Sequence, residues 1–171
     1  LRRPGHDVTT GALRVGHGFD AHPHSDDPDR ALLLGGVRMA GAPGLAGHSD
    51  GDVVAHAVTD ALLGAAGLGD IGARFPDSDP ALAGADSLAL LRQATREVRA
   101  AGWSVLNVDC TVLAEAPMLA PHRAEMQQGL SDAVGAPVTV KGKRAEGLGA
   151  VGRREGIACW AVALLLQDAA Q

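Results

Sequence analysis

The sequence predicts an α+β fold, an α/β sandwich in which a mixed β-sheet carries its helices on one face. Three segments place apolar residues at helical spacing, and short apolar runs of strand length alternate with them. The last run, residues 156–166, is apolar at nearly consecutive positions, which calls for burial on both sides. Helices cover one side, and a second subunit would supply the other layer, so a homo-oligomer is expected. With 171 residues, 46% of them hydrophobic, the chain is sized for one compact core. Residues 13–171 are expected to form that single domain, and residues 1–12, without periodicity, to be a mobile N-terminal extension.

Taken in order, residues 13–20 read as a short strand that ends in polar side chains. Residues 32–37 hold two apolar segments around Gly35-Gly36, the pattern of a hairpin. Ser49 and Asp50 are N-cap candidates for a helix whose apolar positions Val53, Val54, Ala57, Val58, Ala61 and Leu62 recur to about Ala66. Residues 67–85, rich in Gly, Pro and Asp, are too long for a bare connector, and such loops are often functional. Asp86 or Ser87 caps a second helix to about Ala101, with Leu88, Leu91, Ala94 and Val98 in one stripe. Residues 103–113 read as a strand. Pro121 starts a third helix with Met126, Leu130 and Val134 inward. A strand over 138–141, a Gly-rich basic loop to Arg154 and the last strand complete the chain.

Composition excludes several classes of function. Aromatics are 2% of the chain with no Tyr, and the net charge is -5, so neither stacking platforms nor a basic excess for nucleic acid is present. Cys110 and Cys159 lie in strand-like runs without metal-type spacing and read as buried free thiols. The C-terminal apolar run is too short to span a bilayer, and no signal-peptide pattern is seen, so no membrane role and a cytoplasmic location are expected.

The chemistry is carried by Asp20, His22 and His56. A strand sends residues i and i+2 to one face, so Asp20 and His22 point together, and His56 closes on them from a helix. One carboxylate and two imidazoles suit zinc, and three protein ligands leave a coordination position open for chemistry. Asp20-x-His22 alone would pass for loop-end residues, and His56 alone for a satisfied helix histidine; together they read as a metal site. Asp60, one turn from His56, divides between support, accepting a hydrogen bond from a ligand histidine or a helix-capping group, and direct catalysis.

Five segments, Gly16-His-Gly-Phe-Asp-Ala-His22, His48-Ser-Asp-Gly-Asp52 with His56 and Asp60, Asp70-Ile-Gly72, Phe75-Pro-Asp77, and Gly152-Arg with Glu155-Gly-Ile-Ala158, occur in order. In this the chain resembles the 2-C-methyl-D-erythritol 2,4-cyclodiphosphate synthase family from about Arg14 to Leu166. The resemblance implies a homotrimer with sheets facing the trimer axis and active sites between subunits. It further implies a phosphorus-oxygen lyase that turns 4-diphosphocytidyl-2-C-methyl-D-erythritol 2-phosphate into the cyclic diphosphate and CMP, in non-mevalonate isoprenoid precursor synthesis. By motif position Asp20, His22 and His56 would hold zinc, and Glu146 would help hold a second divalent cation, magnesium or manganese. His48 and Ser49 would contact phosphate or the erythritol portion, as a helix N-terminus also would. Asp70, Ile71, Gly72, Phe75 and Asp77 would receive the hydroxylated portion. Ala114, Pro117, Met118, Leu119 and Ala120 of a neighbouring subunit would form the cytosine pocket. Arg153, near the threefold axis by the same analogy, pairs with Glu155 or binds an anion.

Two departures from the family pattern stand out. Gly142-Lys-Arg-Ala145 occupies a stretch where the family carries threonines, so either Lys143 and Arg144 replace hydroxyl contacts to phosphate with charge-assisted ones or the loop sits differently. Met118 stands where Lys is common. Two other readings are a catalytically silent trimer and a zinc hydrolase; the second lacks a His-Glu-x-x-His arrangement.

Overall fold

The computed structural model describes residues 11–169. The expected extension over 1–12 therefore lies almost wholly outside the described residues. The strands are β1 (Leu13–Pro23), β2 (Ala31–Leu34), β3 (Val37–Pro43), β4 (Trp103–Leu113), β5 (Val138–Lys143) and β6 (Gly156–Gln167). The helices are α1 (Val53–Ala66), α2 (Ile71–Arg74), α3 (Ser87–Ala100), α4 (Arg123–Val134) and α5 (Gly149–Gly152). A four-stranded sheet runs β1-β6-β4-β5, antiparallel except for the parallel β4 and β5, and β2 and β3 form a separate hairpin. This is the mixed sheet with helices on one face that the patterning predicts. No helix among the described residues is long and apolar enough to cross a membrane.

Helix α1 is the centre of the core. Twelve of its fourteen residues are buried, and a helix apolar nearly all round belongs inside. It lies directly on β1, because Gly16 and Gly18 present no side chain to it. A Cβ at Gly16 would sit 2.0 Å from the Ala61 carbonyl oxygen, and one at Gly18 1.9 Å from that of Ala57. That close approach brings His56 to Asp20. At the other end of the helix, the Arg14 guanidinium donates to the carbonyl of Ala66 at 3.3 Å.

The α1 N-cap is Asp52, not Ser49 or Asp50. Its carboxylate accepts from Val54 N at 3.0 Å and Ala55 N at 3.1 Å, and also from Gly35 N at 2.9 Å and Gly36 N at 2.6 Å in the β2–β3 turn. One buried carboxylate thus fastens the hairpin to the helix. Leu91, Ala94 and Val98 of α3 and Met126, Leu130 and Val134 of α4 are fully buried, as their spacing predicts. Each large apolar side chain so buried contributes about 1.5–3 kcal/mol. Pro121 sits in a 3-10 turn, Ala120–His122, and α4 begins at Arg123. Cys110 and Cys159 are buried free thiols, and the neighbouring Cys110 sulfur, followed by burial, pushes the Cys159 thiol up.

Strand β6 finds one of its two expected covers within the chain. Ile157, Cys159, Ala161, Ala163 and Leu165 pack under the helices, whereas Trp160 and Val162 are exposed on the opposite face. They join Val15 and Phe19 of β1 there, and the Phe19 and Trp160 rings lie 5.1 Å apart. The apolar run is genuine, but within one chain only one side of it has a cover.

Candidate active site

Asp20 and His22 project from the helix-covered face of β1, two residues apart as strand geometry requires, and His56 meets them from the first turn of α1. Asp20 Oδ2 lies 3.0 Å from His22 Nε2 and 2.9 Å from His56 Nδ1, and the two ring nitrogens are 3.4 Å apart. Tetrahedral zinc with ligand bonds of about 2.0–2.1 Å has ligand atoms roughly 3.3 Å apart. These three donors, one oxygen and two nitrogens, already match that triangle and could hold a metal ion. Burial alone would raise the Asp20 pKa, but hydrogen bonds from His22 and His56 hold it well below the usual carboxylate range. Burial disfavours the charged form of His56, yet its bond to Asp20 moves the imidazole upward.

The opposite edge of His56 is also engaged. Its Nε2 lies 2.8 Å from Ser87 Oγ and 3.0 Å from Ser49 Oγ. Arg30 braces the adjoining loop, donating to the carbonyls of Gly47 at 3.0 Å and Ser49 at 2.6 Å, on either side of His48. The His48 ring bonds the Asp79 carbonyl at 3.0 Å.

A cleft of about 430 Å³ opens over the three donors. It gathers His48, Ser49, Ile71, Gly72, Phe75 and Asp77 with Asp20, His22 and His56. A second cleft, of about 290 Å³, gathers Ala114, Pro117, Met118, Leu119, Ala120, Lys143 and Arg144 at the ends of β4 and β5. The two share no lining residue. Asp70 lines neither; it caps α2, accepting from Ala73 N at 2.8 Å. Asp60 bonds Ile71 N at 2.9 Å and so ties α1 to α2 rather than supporting a ligand histidine. Glu146 has left-handed backbone, φ 52°, and lies outside both clefts. Arg153 is exposed and paired with Glu155 at 2.6 Å. Sequence reasoning missed Leu82 and Leu90 in the first cleft and Arg123 and Val140 in the second. It also read Ser87 only as a helix cap.

Comparison with known proteins agrees with this geometry. The model of the YgbB family matches residues 13–166. A relative from Edwardsiella ictaluri named 2-C-methyl-D-erythritol 2,4-cyclodiphosphate synthase is 54% identical over 159 residues, covering 91% of this chain and 100% of the relative. Among solved structures, the bifunctional IspDF from Campylobacter jejuni aligns with a TM-score of 0.87 at 41% identity, covering 92% of this chain and 43% of that one. The CDP complex of IspF from Plasmodium falciparum aligns with a TM-score of 0.80 at 32% identity, covering 93% of this chain and 99% of that one. A family match along nearly the whole chain, with the Asp20, His22 and His56 triangle inside it, means that this protein belongs to the YgbB family.

Proposed function

We propose that this protein is a cytoplasmic homotrimeric lyase that converts 4-diphosphocytidyl-2-C-methyl-D-erythritol 2-phosphate into 2-C-methyl-D-erythritol 2,4-cyclodiphosphate and CMP, in non-mevalonate isoprenoid precursor synthesis. The observation that carries this reading is the Asp20, His22 and His56 triangle at the floor of a cleft, in a chain that matches relatives bearing that enzyme's name. In the reaction an oxygen of the substrate's 2-phosphate bonds to the β-phosphorus. The bond from that phosphorus to the bridging oxygen breaks, and CMP departs with the oxygen. No protein nucleophile takes part.

The donor set fits zinc, which Asp20, His22 and His56 would hold. Glu146 has no further donors gathered around it among the described residues, so a magnesium or manganese ion there would be held by this carboxylate and the substrate's own phosphates. The chemistry such cations would supply is neutralisation of phosphate charge during an in-line displacement. The chain's own residues position the substrate. His48 and Ser49 border the triangle and would meet the phosphate end, while Ile71, Gly72, Phe75 and Asp77 would receive the methylerythritol, with Asp70 capping the helix that carries Ile71 and Gly72. Ala114, Pro117, Met118, Leu119 and Ala120 would enclose the cytosine, with Lys143 and Arg144 at the diphosphate. Fixing both ends of one molecule turns the cyclisation into a matter of orientation and charge stabilisation.

Two observations support the trimer. Substrate-end and base-end residues occupy separate clefts, so a complete site draws them from neighbouring chains. The exposed Val15, Phe19, Trp160 and Val162 form an apolar sheet face of the kind a subunit covers. The test is incubation with the cytidine substrate, zinc and magnesium, followed by phosphorus NMR. Cyclic diphosphate with equimolar CMP is expected; linear hydrolysis products or an unchanged substrate would overturn the assignment. His56→Ala is expected to lose both zinc and turnover.

A further inference from the structure

We infer that Ser87 and Asp50 form a relay that positions His56, through a serine hydroxyl and a carboxylate behind the metal triangle. The inference rests on the reading of Asp20, His22 and His56 as a zinc centre. His56 turns Nδ1 toward Asp20 and His22, so Nδ1 is the nitrogen that faces the metal position. A neutral imidazole that offers a lone pair at one nitrogen carries its proton on the other, and the partner of that second nitrogen fixes tautomer and ring orientation.

The partner here is Ser87. Its Oγ lies 2.8 Å from His56 Nε2 and in direct hydrogen-bond contact with Asp50 Oδ1. An ionised carboxylate can only accept, so the Ser87 hydroxyl proton goes to Asp50. The lone pairs of Ser87 Oγ are then free for the Nε2–H of His56. The direction of each bond follows: His56 donates to Ser87, and Ser87 donates to Asp50. Asp50 is itself fixed, since Oδ2 accepts from Ser87 N at 3.0 Å and Oδ1 from Asp52 N at 3.2 Å.

Burial makes the arrangement matter. Ser87 is 1% exposed and His56 9%, so water cannot readily replace a lost hydroxyl. Capping does not account for the serine, because Asp86 already accepts from Leu88 N at 2.8 Å as the N-cap of α3. Ser49 Oγ, at 3.0 Å from the same nitrogen, has no carboxylate partner among the described residues, so it cannot transmit the charge of Asp50.

The experiment measures zinc affinity of the full chain by chelator competition, with the cobalt-substituted visible spectrum as a second readout. Ser87→Ala and the nearly isosteric Asp50→Asn are each expected to weaken zinc binding by about tenfold or more and to alter the cobalt spectrum. The double variant should be little weaker than either alone, because the two act in series. Ser87→Thr, which keeps the hydroxyl, should restore affinity. A merely structural Ser87 would lower the melting temperature while leaving affinity and spectrum unchanged. Variants within twofold of the native affinity, or additive losses in the double variant, would overturn the relay. A native protein that binds no zinc would overturn the metal centre and the relay with it, so the two failures are told apart.

Discussion

Replacing Gly18 by Ala tests whether the distance between β1 and α1 sets the metal site. The new Cβ would sit 1.9 Å from the Ala57 carbonyl oxygen and 2.7 Å from Ala61 N, both backbone atoms of a buried helix. Restoring a separation of 3.0 Å means that helix and strand part by roughly 1 Å. His56 precedes Ala57 on the helix, and Asp20 follows Gly18 by two residues on the strand, so the ligands part with them. Metal–ligand bonds tolerate about 0.2 Å, several times less than the displacement. Zinc affinity should fall by more than about 100-fold, or roughly 2.7 kcal/mol. Overpacking of this kind costs about 1–3 kcal/mol, less than the stability of a typical domain, so the variant should fold. Gly64→Ala on the same helix is the control: its Cβ would meet open space, and it should raise stability by about 0.5–1 kcal/mol with zinc affinity unchanged. Chelator competition and thermal unfolding read both variants. A folded Gly18→Ala protein with native zinc affinity would refute the reasoning.

Three more predictions address assembly, substrate contact and surface charge. Mixing inactive His22→Ala chains with inactive Ala120→Trp chains, then dissociating and reassembling them, should recover part of the activity; no recovery would mean that each chain works alone. Arg144→Thr should weaken substrate binding and flatten its salt dependence, since screened charge contributes less at higher ionic strength; parallel affinity curves of equal strength would remove Arg144 from the diphosphate. Asp109 is held below its ordinary pKa, chiefly by its hydrogen bond from Lys141, so this pair stabilises the fold above about pH 3.8 and the benefit fades as pH falls through the lowered value. Both side chains are nearly half exposed, so Asp109→Asn should cost at most about 1 kcal/mol at neutral pH and nothing in strong acid, by denaturant unfolding.

The placement of side chains is legible wherever it follows local periodicity. The two-residue repeat of a strand put Asp20 beside His22, and the helical repeat put Met126, Leu130 and Val134 inward. What escaped depends on contacts between distant segments. Asp52 displaces Ser49 and Asp50 as N-cap because the hairpin turn at Gly35 and Gly36 also binds its carboxylate, and no local pattern reports that turn. Ser87 reaches His56 from 31 residues away, across a loop whose path the sequence leaves open. Strand β6 reads as buried on both sides because its outer residues are apolar, and composition cannot say whether the cover lies within the chain or in another.

The stretch from Gly47 to Asp52 is pinned along its length, by the guanidinium of Arg30 on the carbonyls of Gly47 and Ser49 and by the carboxylate of Asp52 on the hairpin. A segment held this way cannot swing out and back as a closing flap. His48 and Ser49 are therefore ordered together with the fold, and the conformational entropy of fixing them is lost during folding. Motions that accompany turnover must come from segments outside this brace, such as the far end of the loop between α1 and α3.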